Sequence, residues 1–68
     1  MSPNIYVIPD GGGWSVKRGR ASLGVIATHY RRDDAVAFAR VLAQTEGVQM
    51  IVVSESGIES GETTSANG

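Results

Sequence analysis

No cysteine occurs among the 68 residues. That excludes disulfides and any thiolate metal site, and it leaves the core to stabilise itself or be helped by oligomerisation. No apolar run approaches the ~20 residues of a membrane-spanning helix. Met1-Ser2-Pro3 places no basic stretch ahead of an apolar one, so neither a transmembrane segment nor a signal peptide is expected. The chain reads as soluble and cytoplasmic, with no membrane partner. Histidine is scarce as well: His29 stands alone. Metal cages and acid–base sites need several converging ionisable groups, so no catalytic residue, metal ligand or cofactor is expected, and the chain is read as no enzyme.

Positive charge is missing from the last 28 residues, and this absence organises the rest. Lys17, Arg18, Arg20, Arg31, Arg32 and Arg40 are the six cations, whereas residues 46–68 carry Glu46, Glu55, Glu59 and Glu62 and no cation. Such a polar distribution permits a cationic patch despite a net charge of −1. A pI of 5.6 nonetheless argues against a dedicated nucleic-acid binder.

What is present is one sheet pattern and one helix pattern. Asn4 to Ile8 is β-branched and aromatic and meets Pro9, which cannot donate to a ladder. Ile5 and Val7 take one face, Tyr6 and Ile8 the other. Pro9-Asp10-Gly11-Gly12-Gly13 reads as a five-residue turn, and Trp14 to Arg18 alternates with Trp14 and Val16 inward. A phosphate-cradling loop would open onto a helix; this glycine run leads into a strand, so a hairpin is expected. Leu23 to Tyr30 is a third strand, with Leu23, Val25 and Ala27 on one face and a bulge signalled by Gly24. The period then changes. At ~100° per residue, Ala35, Val36, Ala39, Leu42 and Ala43 fall within about 120° of arc, the face a helix lays on a sheet. Asp33 and Asp34 suit the positive end of its dipole, and Gly47 is a C-cap candidate. Gln49 to Val53 is a strand apolar on both faces. Its parallel return places it beside the first strand, in the order 4-1-2-3. Ser54 to Gly57 is a turn, Ile58 starts a short fifth strand, and residues 60–68 form a disordered tail behind a single domain of residues 1–59. The fold class is α+β: a three-stranded antiparallel meander, one helix packed across the sheet, then a further strand (β-β-β-α-β).

Val7-Ile8-Pro9, the glycine turn, Gly13-Trp14-Ser15-Val16-Lys17-Arg18, the Ala-rich helix and Ile51-Val52-Val53 before a Ser/Gly turn together carry a resemblance. Over residues 4 to 58 the chain resembles the family of small bacterial and phage domains of unknown function typified by YdaT. Two positions depart from that family: Arg31 or Arg32 stands where a threonine opens the helix, leaving Asp33 as N-cap, and Ser54-Glu55-Ser56-Gly57 replaces a basic Asp-Gly turn. The resemblance implies the fold, no established activity, and an accessory role on phages or mobile elements.

The remaining candidates are surfaces. Trp14 is expected in the core against Ala35 and Ala39, and His29 at the surface or a sheet edge. Lys17, Arg18, Arg20, Arg31 and Arg32 form a basic face able to approach phosphates. Phe38 and Val41 lie at about 300° and 240°, off the core arc; either Phe38 packs at the core edge, or the two offer a strip for a homodimer or a target protein. The uncovered third strand adds a docking edge. The expected function is stoichiometric binding to a host protein or complex, as an anti-CRISPR-like inhibitor of a host defence system, by a monomer or homodimer. The alternative is a small nucleic-acid-binding module using the basic face.

Overall fold

The computed structural model describes residues 3–19 and 24–63. Its elements are β1 (Ile5–Asp10), β2 (Gly13–Arg18), β3 (Val25–His29), α1 (Arg32–Glu46), β4 (Gln49–Val53) and β5 (Glu59–Thr63). The strands make one sheet in the order β3-β2-β1-β4-β5. β1, β2 and β3 form the expected antiparallel meander. The sheet as a whole is mixed, because the chain returns through α1 and lays β4 parallel to β1, with Ile5 opposite Met50 and Val7 opposite Val52.

Three local expectations need correction. The β1–β2 turn is two residues long, not five, since Pro9 and Asp10 pair with Trp14 and Gly13. Gly11 and Gly12 both have positive φ, as the tight hairpin that matches strand twist requires. Gly13 is in the strand itself, where a Cβ would lie 2.9 Å from the His29 carbonyl oxygen. The second correction concerns β3, whose described part starts at Val25; Leu23 lies outside the described residues. Val16 pairs with Ala27 but Lys17 with Val25, a register shift that leaves Ile26 unpaired. This bulge breaks the expected alternation. Cross-strand partners share a face, so Val25 joins Lys17 on the face away from α1, while Ala27 joins Val16 beneath it, and Ile26 packs on the core.

The third correction is at the C-terminal side. Residues 59–63, expected mostly as tail, form β5, antiparallel to β4 from Val53↔Glu59 to Gln49↔Thr63. No apolar periodicity marks this strand; the backbone ladder and its turn hold it. Ser54 N–H donates to Ile58 O at 2.8 Å, Gly57 N–H to Ser54 O at 2.8 Å, and Ile58 N–H to Ser54 Oγ at 3.1 Å. The rest of the expected tail, residues 64–68, lies outside the described residues.

α1 matches its periodicity. Its N-cap is Arg31, extended and without a side-chain capping bond, while Asp33 and Asp34 occupy the first turn; Asp33 is therefore a dipole partner and no cap. At the other end Val48 N–H donates to Ala43 O and Gly47 N–H to Gln44 O, with Gly47 at φ 71°, the six-to-one and five-to-two bonds of a Schellman motif. Ala35, Ala39 and Ala43 are fully buried against Ile5, Val7, Val16 and Met50. Alanine at these three contact positions leaves space for Trp14, Val36, Leu42 and Val52 to close around the cluster. Trp14 is thus a partly buried core residue, as expected. No helix among the described residues is long and apolar enough to cross a membrane.

Candidate functional site

The meander divides the basic residues. Lys17 and Arg18 end β2, beside Val25 and Gly24 at the start of β3, whereas Arg31 and Arg32 follow the far end of β3 and open α1. A five-residue strand at about 3.4 Å per residue keeps the two groups at opposite ends of the sheet. Lys17 and Arg18 are further divided by the pleat, Lys17 sharing the open face with Tyr6 and Arg18 the helix face with Ile5. Arg20 lies outside the described residues. These four described cations thus make no single face.

Arg18 is also engaged. Its Nε donates to Glu46 Oε1 at 3.1 Å and its Nη2 to Glu46 Oε2, joining β2 to the last turn of α1. The hydrogen bond to Glu46 raises the Arg18 pKa. The same bond, from the other side, holds the Glu46 carboxyl below its ordinary value. A depressed folded-state pKa contributes stability above the ordinary glutamate range and loses it as pH falls through the folded value. Wild type is therefore expected to melt slightly higher than Glu46→Gln near neutral pH, with the difference vanishing well below the carboxylate range. The effect is small because the pair is partly solvated and salt-screened. Thermal melts of both proteins across that range, at low and high salt, check it; a difference that persists in acid refutes the ion pair as its source.

The apolar candidates, by contrast, come together. Phe38 is 39% and Val41 63% exposed, on the side of α1 that overhangs β3. The Phe38 ring centroid lies 5.5 Å from that of His29, at the end of β3. Thr45, one turn beyond Val41, donates its hydroxyl to Val41 O at 2.9 Å and so is tied to its own helix. Among the described residues β3 terminates the sheet, with β2 on its one paired side. Its residues Val25-Ile26-Ala27-Thr28-His29 contain no Lys, Arg, Asp or Glu, whereas β5, at the other edge, carries Glu59. A charged side chain is a usual guard on an exposed edge, and among the described residues β3 has none. Two members of the surface escaped the sequence analysis: Tyr30 is 88% exposed just past β3, and Val25 is 44% exposed on the open face. The loss of a charge guard between Gly24 and Tyr30 was the available signal for both.

A cleft of about 340 Å³ at the hairpin end is lined by Asp10, Ser15, Thr28 and His29 among others, which places a serine, a histidine and an aspartate together. Their bonding does not make a triad. Ser15 Oγ donates to Asp10 Oδ2 at 2.9 Å, and the buried His29 Nε2 has no hydrogen-bond partner. A nucleophile needs its base within hydrogen-bond reach; here Ser15 and His29 are on opposite faces, because Ser15 pairs with Thr28 and Trp14 with His29. Among the described residues no three His, Asp or Glu side chains gather as metal ligands would.

Comparison with known proteins gives one finding. No curated protein and no solved structure matches the chain. A family model described as "Uncharacterized protein conserved in bacteria" matches residues 5–57, the stretch from β1 to the turn after β4. The match carries neither a YdaT type nor a phage origin. The chain belongs to this family of uncharacterized bacterial proteins, DUF2188.

Proposed function

We propose that the chain is a non-catalytic module that binds another protein chain through the outer edge of β3 and the flanking Phe38–Val41 strip. The supporting observation is the coincidence of an uncharged edge strand with exposed apolar residues of the helix above it. Strand addition at such an edge gives affinity through main-chain hydrogen bonds, and side chains beside the edge give selectivity. A host protein, as the resemblance implies, would meet the same surface, and inhibition would then follow from occlusion. The nucleic-acid alternative has less support, since Lys17 and Arg18 stand apart from Arg31 and Arg32 and Arg18 is held by Glu46.

A photo-crosslinking residue placed at Thr28 or Val41 tests the reading in cells. Each position should yield a discrete protein adduct, while the same residue at Ile58, exposed beyond the opposite edge, yields none. Adducts from Ile58 alone would overturn it. So would retention of duplex DNA at ~150 mM salt that is lost on Arg31→Ala and Arg32→Ala, since a binder using few phosphate contacts weakens steeply with salt.

A further inference from the structure

We infer that the partner at the β3 edge is a second copy of this chain, paired about a twofold axis that passes between the two Thr28 residues and between the two Val41 residues. The inference rests on the binding surface just proposed and names its occupant. A twofold interface must be self-complementary, each residue meeting its counterpart by the same operation. Few edges satisfy that, and the bulge makes the requirement strict. In β3, Val25 and Thr28 point to the open face, being opposite Lys17 and Ser15, while Ala27 and His29 point toward α1, opposite Val16 and Trp14. Antiparallel partners must share a face. Centring on Ala27 would set Val25 against His29 of the other copy, on opposite faces, and fails. Centring on Thr28 sets Thr28 against Thr28 and Ala27 against His29, and every pair agrees. Thr–Thr is a favourable cross-strand pair, and no charged residue lies within this ladder.

The helix above supplies an independent coincidence. α1 runs antiparallel to β3: Phe38 packs beside His29, and Glu46 reaches Arg18 at the other end. From Phe38 to Val41 is about 4.5 Å along the helix axis. From His29 back to Thr28 is about 3.4 Å along the strand. The axis that suits the strand therefore passes near the level of Val41, the most exposed large apolar residue of α1. With both sheets continuous across the axis the two helices lie on the same side, Val41 against Val41 and Phe38 toward the Thr45 turn of the other copy. Charge agrees with this placement. The last turn of α1 has no basic residue, and Arg31 of one copy is carried toward that negative end of the other copy's helix, where a cation is favourable. Arg31 itself is exposed, with no ion pair among the described residues. A ladder of three residues and a short helix strip make a small interface, so the dimer is weak and concentration-dependent.

Sedimentation equilibrium of the full chain from ~1 to ~500 µM tests this, with a rise from monomer to dimer mass expected within that range, as suits a small interface. Thr28→Lys places two ammonium groups across the axis and should raise the dimer dissociation constant at least about tenfold, like charges at an interface being costly. Mixing Thr28→Lys with Thr28→Glu should restore a heterodimer, a rescue that only self-pairing at Thr28 produces. Thr28 is exposed, so both variants fold, which circular dichroism verifies. A chain that stays monomeric at ~500 µM, or a dimer indifferent to Thr28→Lys, overturns the inference. Monomers that still crosslink to a different protein at Thr28 or Val41 overturn the twofold dimer alone; the absence of any adduct at both positions overturns the binding surface too.

Discussion

Replacing Ile5 by alanine is expected to lower the folding stability by about 2–5 kcal/mol, the usual range for emptying a fully enclosed aliphatic site. Ile5 has no exposed surface. It sits in the middle strand, opposite Arg18 on one side and Met50 on the other, with α1 above it. Natural domains retain roughly 0.05–0.15 kcal/mol per residue, so a chain of this size has on the order of 3–10 kcal/mol in total. A single truncation can therefore remove half of the stability. At about 4–8 °C per kcal/mol for a domain this small, the midpoint should fall by roughly 8–40 °C. Ile58→Ala is the control. Ile58 is 66% exposed, and such surface changes stay within about 0.5 kcal/mol. Urea unfolding of the three proteins measures both effects, and a loss at Ile5 no greater than that at Ile58 would contradict the enclosed centre described above.

The second large effect is expected from enlarging a residue. Ala35, Ala39 and Ala43 form the contact line of α1 on the sheet, and each is fully buried. Ala39→Leu adds three carbon atoms where the helix lies directly on β1 and β2, so α1 must lift or the sheet side chains must leave their preferred rotamers. Overpacking of this kind costs about 1–3 kcal/mol. Leucine and alanine have similar helix propensities, so the loss reports packing alone. Ala37→Leu places the same side chain on the exposed side of α1 and should leave stability nearly unchanged. Trp14 packs against the same cluster and is the only tryptophan; its fluorescence should shift in Ala39→Leu and stay constant in Ala37→Leu. Equal effects from the two variants would mean that α1 does not use this line to contact the sheet.

The sequence made visible what depends on local periodicity. The arc from Ala35 to Ala43 and the glycine at position 47 mark the helix and its end, and both are found there. The place of β4 beside β1 followed from chain direction, because a strand reached through a helix returns parallel. A short strand after Ile58 was expected, but its run through residues 60–63 was read as tail because Glu59 to Thr63 has no apolar alternation to betray it; a main-chain ladder leaves no trace in side-chain type. The face assignment in β3 failed at Ile26, since an extra residue in one strand inverts every later position and cannot be heard in one strand alone. Among the candidate site residues, the departure of Phe38 and Val41 from the core arc made their exposure legible. The four described cations of the expected basic face divide into two groups, and the position of Arg18 opposite Glu46, 28 residues away, depends on which strands stand next to each other. Strand direction alone would have separated Lys17 from Arg31.

The parallel pairing of β1 with β4 also sets an order of events during synthesis. Forty-five positions separate Ile5 from Met50, and at about 5–20 residues per second the ribosome takes roughly 2–9 s to cover them. The hairpin can close early, but one flank of the innermost strand waits bare until the last apolar stretch emerges. A nascent chain halted just short of Met50 would hold Ile5 and Val7 open to any passing peptide, so the molecule is most vulnerable to misassembly at its eventual centre.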